Sequence, residues 1–128
     1  MYDKEILISL LEKVLSATHR IIEKSKDIDS PDYYLQTPSG MERLESTCML
    51  LIAIGESIKG IDKITEKQLL IKYTGIDWKG VMGMRDIIAH HYFDLDAEIV
   101  FEVIKNDLPS LHDTIQQMIS DITPNIHS

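Results

Sequence analysis

The chain has a single cysteine, Cys48, at the head of the apolar run from Cys48 to Ile54. An intrachain disulfide is thereby excluded, and the apolar setting favours an inert, buried thiol over a reactive one. Aromatic residues are scarce, with one Trp, five Tyr and two Phe, whereas Ile and Leu abound. That balance favours helix packed on helix over an aromatic-rich β-sandwich. No apolar run approaches the roughly 20 residues that span a bilayer. The opening Met1-Tyr2-Asp3-Lys4-Glu5 lacks the basic-then-apolar order of a signal peptide, so a cytoplasmic protein without membrane contact is expected. No Cys/His grouping has zinc-ligand spacing and no glycine-rich phosphate loop is present; no metal and no other cofactor is expected.

Positive charge is also in short supply. Thirteen Lys and Arg face 21 Asp and Glu, for a net charge of −8. This argues against broad, nonspecific nucleic-acid binding, which needs a basic face. It leaves room for a small local basic site, or one assembled between subunits, and it suits docking to a more basic partner.

What is present is helical periodicity. The 128 residues suffice for one domain with a continuous core, expected over about residues 3–122. Residues 3–27 place Ile6, Leu7, Leu10, Leu11, Val14, Leu15, Ala17, Ile21 and Ile22 on a stripe with charged residues between, and Asp3 is a suitable N-cap. Residues 28–40, with Ser30-Pro31 and Thr37-Pro38-Ser39-Gly40, read as the longest loop, with room for a short turn at Asp32–Leu35. A second helix from about Met41 to Lys59 is apolar on most of its surface, through Leu44, Cys48, Met49, Leu51, Ile52, Ile54 and Ile58. Gly55-Glu56-Ser57 interrupts it, and a glycine there costs about 1 kcal/mol, so a close helix–helix approach is its expected reason. Glu56 beside that approach is a solvated edge residue or a partner for a donor. Thr65-Glu66-Lys67-Gln68 opens a short helix that fades by Thr74-Gly75. Asp77 caps the next, starting at Trp78. Asp96 caps another, with Ile99, Val100, Val103 and Ile104 as its core face, and Pro109 breaks or kinks it before a last helix to about Ile122. No segment alternates with the period of a strand. The expectation is an all-α bundle of four or five helices.

The stretch richest in chemistry is Arg85-Asp86-Ile87-Ile88-Ala89-His90-His91-Tyr92. It holds a permanent cation whose planar fork matches phosphate and an imidazole that exchanges a proton near neutrality. Those two groups together suffice to cut an RNA phosphodiester, since the substrate brings its own nucleophile, the 2′-hydroxyl. At about 100° per residue, Arg85 and His90 lie roughly 140° apart, on different faces. Asp86, four residues before His90, is spaced to touch it and to fix its tautomer. Tyr92 returns close to the direction of Arg85. Arg85 has either to reach round its own helix or to meet His90 of a second copy, as in a symmetric dimer that sets the same helix against itself. Each residue also has a plainer reading. Arg85 pairs with Asp86 or Glu56; His90 and His91 favour a helix C-terminus; Tyr92-Phe93 closes the core. His19, His112 and His127 read as structural or solvated.

The pattern Arg85-x4-His90-x-Tyr92 resembles the motif of the HEPN superfamily, and in particular its HepT-like toxin subunits. The apolar run Leu50–Ile54 followed by Gly55-Glu56-Ser57, the Trp78-led approach to Met84-Arg85-Asp86, the stretch His91-Tyr92-Phe93-Asp94-Leu95-Asp96 and the closing Leu108-Pro109 are similar too. The resemblance covers roughly residues 3–120. It implies a HEPN-like helical homodimer with metal-independent endoribonuclease activity and facing motifs. It also implies a partner, an MNT-type nucleotidyltransferase antitoxin that neutralises the toxin and transfers AMP to the motif tyrosine, here Tyr92. In that scheme Arg85 binds phosphate, His90 moves the proton, Asp86 orients His90, His91 is a possible secondary participant, and the product is a 2′,3′-cyclic phosphate. The rival reading is a non-catalytic helical subunit that binds the nucleotidyltransferase and offers it substrate or an acceptor tyrosine.

Overall fold

The computed structural model describes residues 3–90 and 96–123, and every regular element among them is helical. Helix α1 (Lys4–Ser25) starts where expected, because the Asp3 carboxylate accepts from the Glu5 and Ile6 amides at 2.9 and 3.3 Å. It buries Leu7, Leu11, Val14, Thr18, Ile21 and Ser25. Ile6, expected on that stripe, is more than half exposed. Its last carbonyls are held by basic side chains from elsewhere in the chain. Arg43 Nη1 donates to Lys24 O and Lys105 Nζ to Ser25 O, both at 2.8 Å.

The expected long loop is much shorter. Residues Tyr33–Gln36 form α2, a single turn, and the main helix α3 (Pro38–Ile64) begins three residues earlier than its apolar pattern. Pro38 initiates rather than breaks it, since an amide is dispensable in the first turn. Thr37 is the cap, its Oγ1 accepting from Gly40 N at 2.9 Å. Nor do Gly55-Glu56-Ser57 interrupt α3, which continues unbroken to Ile64. Leu44, Cys48, Leu51, Ile54, Ile58 and Ile61 are buried along it, while Met49 projects outward.

Thr65 ends α3 rather than opening a helix, and Glu66 and Lys67 follow with positive φ of 53° and 62°. A 3₁₀ turn over Leu70–Lys72 then leads to α4 (Trp78–His90), capped by Asp77 Oδ1 accepting from Gly80 N at 3.0 Å. Helix α5 (Ala97–Glu102) has the expected Asp96 cap. The helical path does not break at Pro109. A π-helical turn over Val103–Asp107 carries it into α6 (Leu108–Ile122), widening the backbone where the proline ring would otherwise crowd the preceding carbonyls. Of the expected core face, Val100 and Ile104 are buried, but Ile99 is more than half exposed.

Packing runs α4 on α3, α3 on α1, and α1 on α6, with α2 laid on α3. An apolar cleft of about 350 Å³ opens between α4 and the α5–α6 path, floored by Leu51, with Ile87 and Ile99 along its sides. No helix among the described residues is long and apolar enough to cross a membrane.

Candidate functional site

The placement of α4 depends on Gly55. A Cβ there would lie 2.9 Å from the carbonyl oxygen of Val81 and 3.8 Å from Arg85 N. The two backbones therefore meet at a distance only glycine permits, which is the close approach the sequence implied. With the helices in contact here, the residue after Gly55 on α3 faces Arg85 on α4. Arg85 Nε lies 3.1 Å from Glu56 Oε1, with the two side chains 52% and 47% exposed. Asp86 Oδ1 is 3.8 Å from Arg85 Nη1, beyond hydrogen-bond range.

This is the pairing that the plainer reading of Arg85 named, and it does not exhaust the guanidinium. Five N–H donors radiate from the group, and an ion pair through Nε leaves the Nη groups for an incoming anion. A half-exposed pair of this kind is worth at most about 1 kcal/mol. It is strong enough to orient Arg85 and weak enough to share it with a phosphate.

The other motif residues are only partly in view. His90 is the last residue of α4, five after Arg85. The His90 side chain, and with it the expected Asp86–His90 contact, lies outside the described residues, as do His91 and Tyr92. His19 and His112 come together between α1 and α6, ring centroids 6.0 Å apart, and His112 Nδ1 lies 3.2 Å from Asp113 Oδ1. That arrangement suits the structural role expected of both. Among the described residues no three His, Cys, Asp or Glu side chains converge as a cation site. Cys48 is buried, and burial pushes its thiol up to about 11.

Trp78, expected as the first residue of this helix and part of the approach to Arg85, holds the start of α4. Its indole Nε1 donates to Tyr73 O at 2.8 Å, and Tyr73 Oη donates to Asp121 on α6 at 2.6 Å. Nothing in the local sequence signals this link, because its partners are 5 and 48 residues apart.

Among known proteins, the chain is 33% identical over 72 residues to a candidate RNase of Methanocaldococcus jannaschii, MJ0127, an alignment covering 56% of each chain. It is 29% identical over 115 residues to MJ0434 of the same organism, named as a gamma-glutamylcyclotransferase and candidate RNase, covering 90% of this chain and 48% of that protein. The chain thus spans about half the length of these two curated relatives. A third relative, the candidate RNase MJ0125 from the same archaeon, is 29% identical over 119 residues, with 93% of this chain and 96% of the relative aligned. No solved structure matches the chain. The family described as ribonuclease HepT-like matches residues 14–118. That range takes in Gly55, Glu56, Arg85 and His90, and the chain belongs to the HepT-like ribonuclease family.

Proposed function

We propose that this chain is a metal-independent endoribonuclease and the toxin of a toxin–antitoxin pair. The observation that carries the reading is Arg85 itself. It is a half-exposed guanidinium, gripped at one nitrogen by Glu56, on the helix that ends in His90, in a chain of a ribonuclease family.

In this mechanism Arg85 binds the scissile phosphate and stabilises the charge that grows on its oxygens. His90 takes the proton of the 2′-hydroxyl, whose oxygen attacks phosphorus. The bond to the 5′-oxygen breaks, and that oxygen leaves as a hydroxyl after taking up a proton from protonated His90. The products are a 2′,3′-cyclic phosphate and a 5′-hydroxyl end. Proton transfer of this kind contributes about 10² to 10⁴ in rate. Asp86 orients His90, and His91 is a secondary candidate. Two copies form the working unit, each helix α4 completing the site of the other. A nucleotidyltransferase antitoxin neutralises the cytoplasmic enzyme. AMP attached to Tyr92 blocks RNA by adding bulk and negative charge to the motif.

The test compares wild type and His90→Ala with total cellular RNA in EDTA on a denaturing gel. Cleavage by the wild type alone is expected, and expression of His90→Ala or Arg85→Ala in cells is expected to be harmless. A toxic His90→Ala protein would overturn the assignment. The second reading is a non-catalytic subunit of a nucleotidyltransferase, and the two carboxylates beside Arg85 favour it. Tight binding to that enzyme, with RNA left intact, would establish it.

A further inference from the structure

Resting on that reading of Arg85, the RNA strand needs a path to the guanidinium across a chain of net charge −8. A candidate lies beside the C-terminal end of α3. Glu56 faces Arg85, and one turn earlier on α4 Met82 faces the C-terminal end of α3. There Met82 shares a shallow depression of about 520 Å³ with Lys59, Asp62, Lys63, Glu66 and Lys67. The three lysines are exposed, and among the described residues none has a carboxylate within ion-pair distance.

Their spacing is regular. Lys59 and Lys63 are four residues apart on α3, a rise of about 6 Å, comparable to the separation of neighbouring phosphates in an extended strand. Lys67 stays with them through an unusual backbone. Glu66 and Lys67 both adopt left-handed conformations, and Lys67 N donates to Asp62 O at 2.9 Å, which keeps Lys67 at the helix end. With Glu66 N donating to Lys63 O at 3.1 Å, these are the two hydrogen bonds that commonly close an α-helix, here formed without a glycine.

We propose that Lys59, Lys63 and Lys67 form a phosphate track that receives single-stranded RNA on one side of Arg85, each lysine meeting one backbone phosphate. Asp62 and Glu66, set between the lysines, keep the surrounding field weak. Affinity comes from point contacts along one strand rather than from a broad basic surface, and this reconciles the acidic chain with an RNA substrate.

The test uses the full chain and a 2′-O-methyl RNA oligonucleotide, which lacks the attacking hydroxyl and so reports binding alone. Fluorescence anisotropy over a salt series compares wild type, the triple variant Lys59→Gln/Lys63→Gln/Lys67→Gln, and Lys26→Gln as a control elsewhere on the surface. Each single-strand phosphate contact contributes about 0.7 to the slope of log affinity against log salt, so the triple variant is expected to lose about 2 from that slope and to bind roughly tenfold more weakly at low salt. Lys67→Gln alone is expected to remove about 0.7, and circular dichroism checks that each variant is folded. An unchanged slope in the triple variant, an equal loss in Lys26→Gln, or a wild type that does not bind the oligonucleotide overturns the track. If the slope falls as expected but the wild type cleaves no RNA, the track stands and the ribonuclease reading fails.

Discussion

Arg85 and Glu56 face each other beside the point where Gly55 brings the α3 and α4 backbones close, Nε to Oε1 at 3.1 Å. A half-exposed pair adds little to stability, so its weight falls on aim. Glu56 both directs the guanidinium and competes with any phosphate for it.

Replacing Glu56 by Gln separates those two effects. The melting temperature is expected to move by no more than the equivalent of about 1 kcal/mol. For RNA cleavage, KM is expected to fall because a competing carboxylate is gone, and kcat to fall because Arg85 loses its orientation. Steady-state kinetics on a defined oligonucleotide reads both. A variant in which KM rises and kcat is untouched would show that Glu56 contributes to binding rather than to aim.

Two glycines five residues apart on α3 make opposite forecasts. Gly55→Ala places a Cβ 2.9 Å from a backbone carbonyl, so α4 must move. The expected cost is about 1–3 kcal/mol, together with a loss of activity. Gly60 has nothing within 4 Å of its would-be Cβ, and Gly60→Ala is expected to stabilise the helix by up to about 1 kcal/mol. Urea denaturation of the two variants measures the contrast, and equal effects would refute the close approach.

Cys48 gives a prediction about pH. Its thiol is raised from 9.0 to about 11 by burial, with the nearby Glu45 carboxylate adding to the rise. The folded protein therefore holds a proton that the unfolded chain releases. Stability is full below about pH 9 and is lost as pH climbs towards 11. Tyr73, pushed up to about 12 by burial and by Asp121, extends the loss further into alkali. Urea midpoints from pH 8 to 11 should fall, and Cys48→Ala should flatten the lower part of that fall. At pH 8 the native thiol should resist iodoacetamide and react only on unfolding.

The sequence is most readable where the chemistry is local. Asp3, Asp77 and Asp96 each cap a helix, because a short carboxylate before an apolar run has one good use. Gly55 announces a close approach, yet Gly60 carries the same cost inside α3 with nothing within 4 Å of its would-be Cβ, so only packing tells the two apart. Where the same residue has two uses, position decides. Pro38 and Gly40 read as a loop, yet a proline is at home in a helix's first turn, and Gly40 is needed because a Cβ would strike the backbone at Tyr33. The end of α3 is hidden because Glu66 and Lys67, not a glycine, take the left-handed conformation. Ile99 follows the periodicity of a core residue, but which side of so short a helix is covered depends on its neighbours. The candidate site divides the same way. Arg85 and its two possible partners are legible from spacing and charge. That Met82 lies beside Lys59, Lys63 and Lys67 is a tertiary fact with no local signature.

The π-helical turn at Val103–Asp107 holds one residue more than an α-helix would over the same path. The length of this segment is therefore forgiving in one direction only. Removing one residue lets the turn close to α-helical geometry with the phase between α5 and α6 unchanged, so Val100 keeps its place in the core. Removing two would turn α5 by about 100° relative to α6 and carry Val100 out of the core.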